Sequence, residues 1–190
     1  MQHRNGFRDL EWGGTGGLYQ ACGPDRMHLL LEGLCKSLVD FVLPFIKRRC
    51  EHEGVQNTSA ELERRVQHFY TRHNTELPSC AFSKGIKKHD AIAAKQMVPL
   101  LMAMHVSIGS DNSILTNSND QQELQCFMSE FLRLLRNLHQ RVYTEHELVE
   151  CEGHMLRVLA AMKLMFMQES KSQFQFIKFH IVKHVFWQIR

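Results

Sequence analysis

Gln121-Gln-Glu-Leu124-Gln-Cys-Phe127-Met128-Ser-Glu-Phe131-Leu-Arg-Leu-Leu135-Arg-Asn-Leu138-His-Gln-Arg-Val142 decides the fold class. Leu124, Phe127, Met128, Phe131, Leu135, Leu138 and Val142 recur at helical spacing and draw one apolar stripe along a helix. Such a stripe is stable only when other elements cover it. The next segment supplies one. Thr144 with Glu147 three residues on reads as a capping box. The helix it opens runs to about Gln168, with Leu148, Met155, Leu159, Met162 and Phe166 inward.

Upstream the same period repeats. A first helix is expected from Pro24 to Cys50, with Leu30, Leu31, Leu34, Leu38, Phe41, Val42 and Phe45 at helical spacing. Pro44 should kink it or split it near Val42. Ser59 can cap a second helix, Ala60 to Arg72, with Leu62, Val66, Phe69 and Tyr70 on its apolar side. Residues 73–86 connect it to a third, His89 to Ile108, bent at Pro99 and ended by Gly109. A polar loop follows to Asn119, and Ser172 caps a last helix through to Arg190. Residues 1–20 are Gly-rich and read as a flexible arm, with Leu18 to Ala21 a stub of strand at most. Residues 21–190 then form one all-α domain, a bundle of roughly five to seven helices.

Composition agrees with that class. The chain has 190 residues, 44% hydrophobic and 23% charged, enough for one core. Its net charge of +3, with twelve histidines counted neutral, is too small to prove nucleic-acid binding. Residues 1–20 lack the apolar segment of a signal peptide, and the longest strongly apolar run, Met97–Met104, is far short of a membrane span. An intracellular protein, nuclear or cytoplasmic, with no membrane partner is the expectation. The dispersed cysteines (Cys22, Cys35, Cys50, Cys80, Cys126 and Cys151) then read as reduced thiols and core fillers.

Two stretches lie outside this helical economy. Cys22-Gly-Pro24-Asp25-Arg-Met-His28-Leu-Leu-Leu-Glu-Gly33 puts an aspartate and a histidine one turn apart at a helix start. Phe176-Ile-Lys178-Phe-His180-Ile-Val-Lys-His184-Val-Phe-Trp-Gln-Ile-Arg190 puts two histidines four apart, on one face. Taken alone, Asp25 is an N-cap and His28 an ordinary half-buried histidine. Taken together, Asp25, His28, His180 and His184 have the residue types of a tetrahedral zinc set, and Cys22 can replace Asp25. Zinc there would clamp the two ends of the domain and couple folding to metal. Cys151 and His154 form a rival ligand pair within one helix.

The two stretches, C-x-P-D-x-M-H-x-L-L-E-G and K-x-H-x-x-x-H-x-x-x-x-I, resemble signatures of the RNase H-like DDE transposases of large eukaryotic DNA transposons and their transposon-derived relatives. The resemblance covers roughly residues 22–190, with a run of helices between the motifs. It implies two catalytic aspartates on strands upstream of D-x-x-H and a catalytic glutamate downstream, in a stretch like W-x-x-R-F-E. These would hold the two Mg²⁺ ions that cut and join DNA. Asp9 and Glu11 are the only acids before Cys22, and neither lies in a convincing apolar strand. The chain therefore resembles the helical insertion domain of such an enzyme without its catalytic carboxylates. The V(D)J recombinase core offers an analogy for a two-plus-two zinc arrangement around an insertion.

Other chemistry is thin. Lys47-Arg48-Arg49, Lys84 with Lys87-Lys88, and Lys178 with Lys183 can meet phosphates, but solvated helix ends are the plainer account. No nucleophile elbow, phosphate loop or H-E-x-x-H is present, and no local pattern pairs a cysteine with a histidine for catalysis. The expected function is a transposase-like fragment whose ancestral role supports a DDE core in DNA transposition, inactive as a catalyst by itself. The alternative is a self-standing, zinc-stabilised helical module that binds protein or DNA.

Overall fold

The structure, a computed structural model, describes residues 33–52, 58–73, 86, 94–109, 114–138 and 143–170. Among them are five helices and no strand: α1 Lys36–His52, α2 Thr58–Arg72, α3 Ala94–Ile108, α4 Ser118–Leu138 and α5 Glu145–Met165. The all-α expectation therefore holds for the described residues. The proposed arm at 1–20 and the last helix from Ser172 lie outside them.

Each helix exists because one side can be buried. Along α2, Leu62, Val66 and Tyr70 are buried at four-residue steps. On α4 the stripe read from sequence is buried from Leu124 to Leu138. Consecutive helices are neighbours, α1 on α2, α2 on α3, α3 on α4 and α4 on α5. The last turn of the described chain then returns to the first helix. Phe166 is fully buried, stacks on Phe41 at 6.0 Å, and meets Phe45 and Phe127 edge-on at 5.4 Å each.

Several local expectations meet their geometry here. Thr144 Oγ1 accepts from the Glu147 N–H at 3.2 Å, and Glu147 Oε2 accepts from the Thr144 N–H at 2.7 Å. The capping box is therefore complete. Pro44 does not split α1: the helix continues through it, and the proline is on the exposed face. Gly109 follows α3, its N–H bonded to the His105 carbonyl at 3.1 Å. A Cβ at that position would meet the end of the flexible Gln125 side chain of α4, which would have to swing aside.

Three expectations need correction. The loop before α4 is not wholly polar: Ile114 and Leu115 are buried, and Gln121 Oε1 accepts from both their N–H groups at 3.1 and 3.3 Å. The helix α5 stops at Met165 instead of reaching Gln168. Phe166 turns into the aromatic cluster, and its carbonyl accepts from the N–H groups of Glu169 and Ser170, both at 3.1 Å. The Lys47-Arg48-Arg49 run is a solvated helix end only in part: Lys47 is exposed, but the two arginines are paired. Arg48 binds Glu169 through Nε at 2.7 Å and Nη2 at 2.6 Å, while Arg49 reaches Asp120 at 3.3 Å. Both guanidinium groups also lie over the Phe45 ring.

Candidate functional site

Asp25, His28, His180 and His184 all lie outside the described residues, as does Cys22. Among the described residues no group of three or more His, Cys, Asp or Glu side chains stands ready for a metal. The described part of the frame bears on that set in one way: residues 166–170 pack against α1, so the first and last described elements are neighbours.

Cys151 and His154 are both buried on α5, but they do not form the core of a metal site there. Burial pushes the Cys151 thiol upward, away from the thiolate a metal needs. His154 turns its Nε2 to Glu130 Oε2 on α4, at 2.9 Å. The same carboxylate oxygen holds Arg133 at 2.6 Å. Cys35 is still less available, its thiol pushed up to about 12 by burial. Cys35, Cys50, Cys126 and Cys151 are free thiols, and only Cys126 is exposed.

Around His154 the structure assembles something the sequence does not announce. Where α4 and α5 run side by side they leave a cleft of about 610 Å³. Arg133 and Arg136, three apart on α4, form one wall, and His154 with Arg157, three apart on α5, form the other. The Tyr143 hydroxyl donates to the Asn137 carbonyl and ties down the loop between the helices at the cleft's edge. Two carboxylates also face the cleft. Glu147 is held by its own cap at Thr144, and Glu150 lies 3.6 Å from His146. A second groove of about 440 Å³, walled by Phe127, Val158, Ala161 and Met165, adjoins the first across His154 and Arg157.

The field in this cleft acts on His154. Burial, then the Arg133 charge, hold its pKa below the ordinary 6.5; the Glu130 hydrogen bond opposes them and Arg157 adds to the depression. Burial also depresses His105, whose Nε2 lies 2.7 Å from Ser129 Oγ, against an opposing backbone bond at Gln125. A histidine depressed in the folded state takes up its proton more readily when unfolded. Stability should therefore fall as pH drops from 6.5 toward the lower folded values, and level off below them. Urea unfolding midpoints at pH 7.5 and pH 5.5 check this. A lower midpoint at pH 5.5, with His154→Gln reducing the difference, is expected; a higher midpoint at the acid end would contradict the sign.

Set against known protein families, curated proteins and solved structures, the chain matches none. No helix among the described residues is long and apolar enough to cross a membrane.

Proposed function

We propose that this chain is a helical module of transposon-derived ancestry, similar to the insertion domain of an RNase H-like DDE transposase. Its role is to support DNA transposition without performing the chemistry. One observation carries the reading beyond the two motifs: the last described turn packs on the first described helix, through Phe166 with Phe41 and Phe45 and through Arg48 with Glu169. An insertion leaves its host and returns to it, so its first and last elements have to be neighbours; the contact here falls toward the C-terminal end of α1, and the return of the chain to the start of α1 is part of the proposal. DNA is then reached through the parent transposase, Mg²⁺ belongs to the catalytic core, and the chain works in the nucleus or cytoplasm. Zinc on Asp25, His28, His180 and His184 is part of the same proposal.

The catalytic side of the proposal is directly testable. These 190 residues match the W-x-x-R-F-E pattern only as far as Trp187-Gln-Ile-Arg190, without its glutamate, and Asp9 and Glu11 are the only acids ahead of Cys22. Phosphodiester cleavage by paired metals needs the full set of carboxylates. Labelled duplex DNA incubated with the purified chain and Mg²⁺ or Mn²⁺ should remain uncut and unjoined. Robust cleavage that disappears on substituting an acid within this chain would overturn the reading.

A self-standing interaction module is the second reading, favoured by one surface. Val149, Leu156, Leu164 and Met167 are exposed on or just beyond α5, Leu164 by 80%. Apolar groups displayed along a single helix suit a protein partner or a host domain. Flanking coding sequence separates the readings: acidic strands upstream and an R-F-E-like segment downstream favour the transposase.

A further inference from the structure

The arginine-lined cleft between α4 and α5 holds positive charge that the ion pairs among the described residues leave partly unused. Arg136 and Arg157 are exposed, and neither has an ion-pair partner among the described residues. That separates them from Arg48, Arg49, Arg64 and Arg65, whose charges are spent on Glu169, Asp120 and Glu61. Arg133 is only partly spent, since its partner Glu130 also serves His154. Three guanidinium groups thus converge from two helices on one concavity, two of them with all their donors open.

We propose that this cleft binds the phosphodiester backbone of a single-stranded nucleic acid, with Arg136 and Arg157 as the main phosphate contacts and Arg133 as the third. Guanidinium groups match phosphate oxygens in pairs, which makes arginine the preferred residue for such contacts.

The surroundings choose among phosphates. Glu147 and Glu150 also face the cleft, and they repel a doubly charged phosphomonoester more than a singly charged diester. A lipid headgroup would bring acyl chains, yet among the described residues Val149 is the only large aliphatic side chain lining this cleft. The apolar groove across His154 and Arg157 gives an unpaired base somewhere to leave water, against Phe127, Val158 and Met165. A duplex keeps its bases stacked inside and makes no use of such a groove. The ligand's identity rests on the DNA-handling reading above; the cleft itself does not.

The test is a fluorescence-anisotropy titration of a labelled single-stranded oligonucleotide with the full chain, at several salt concentrations. Wild-type protein should bind, with log affinity falling linearly with log salt. The double substitution Arg136→Ala with Arg157→Ala should weaken binding about tenfold or more and make the salt slope shallower by about one to two units. Arg136→Lys with Arg157→Lys should recover part of the affinity, because charge survives while the forked geometry does not. Arg72→Ala, an exposed charge on α2, is the control that should leave binding unchanged. Binding that survives the double alanine substitution overturns the cleft assignment and leaves DNA handling standing. Absence of any nucleic-acid binding by the wild type overturns the cleft proposal and leaves standing the supporting role, which reaches DNA through the parent transposase. Binding of inorganic phosphate or of anionic phosphatidylserine vesicles, but not of the strand, also overturns the proposal. All the substituted arginines are exposed, and far-UV circular dichroism confirms that the variants remain helical.

Discussion

Replacing Phe166 with alanine is expected to destabilise the bundle by about 3–5 kcal/mol, a range set by deletion of a large aromatic group from a packed core. Phe166 is fully buried and touches rings from α1 and α4 at once. Its loss would remove the transfer energy of the ring and leave a void among Phe41, Phe45 and Phe127 that the surrounding helices can only partly collapse to fill. Nearby, Glu169 is already costly: its side chain is 2% exposed, Oε1 takes both Arg48 bonds, and Oε2 is buried without a partner. Loosening the turn at Phe166 would admit water to that carboxylate and weaken the Arg48 tie together with the ring contacts. For a domain whose total stability is on the order of 5–15 kcal/mol, that is a large fraction. Urea unfolding of Phe166→Ala and Phe166→Leu decides the matter. The leucine variant should lose clearly less, since it keeps much of the volume. A loss below about 1 kcal/mol for alanine would mean that the ring does not hold α5 to α1.

How much of this is legible in the sequence depends on the range of the interaction. The α4 stripe and the Thr144 capping box depend on residues three or four apart, and both are readable. Leu134 lies off the stripe read from sequence, yet it is fully buried, because α4 lies between α3 and α5 and hides two faces where a single stripe hides one. Arg48 and Arg49 look like a cationic helix end because their partners, Glu169 and Asp120, are far along the chain. Nothing local forbids a helix through Phe166, so the sequence places the end of α5 too late; the ring's tertiary contacts turn the chain there. The cleft is invisible for the same reason. Arg133 and Arg136 are ordinary surface spacing on one helix, and Arg157 completes the set only when α5 lies beside them. The zinc motifs stand the other way round: they are plain in the sequence and lie outside the described residues.

On protein that carries zinc, His184→Ala is expected to release the metal and lower stability by about a few kcal/mol, because an incomplete ligand set gives up the binding energy that supports the fold. The described frame sets a demanding condition on this clamp. Residues 166–169 follow α1 from Phe45 toward Arg48, so Ser170 lies near the C-terminal end of α1. If α1 extends back to His28 as the sequence predicts, its length from Arg48 is about 30 Å at 1.5 Å per residue. The fourteen residues from Ser170 to His184 cover only about 21 Å as one helix, but up to about 46–50 Å when extended. Zinc ligation at about 2.0–2.2 Å is therefore favoured by an extended stretch ahead of His180 or a fold-back of the segment holding Asp25 and His28. An uninterrupted helix from Ser172 to Arg190, paired with an uninterrupted helix from Pro24, falls short by about 9 Å at His184, a gap that the two histidine side chains themselves would have to span. Zinc content by atomic absorption and the thermal midpoint, both measured on wild type and His184→Ala, separate the outcomes. Loss of metal with a lowered midpoint supports the clamp. An unchanged zinc content after the substitution would reduce these histidines to packing groups, and the insertion-domain reading would lose the motif pair on which it began.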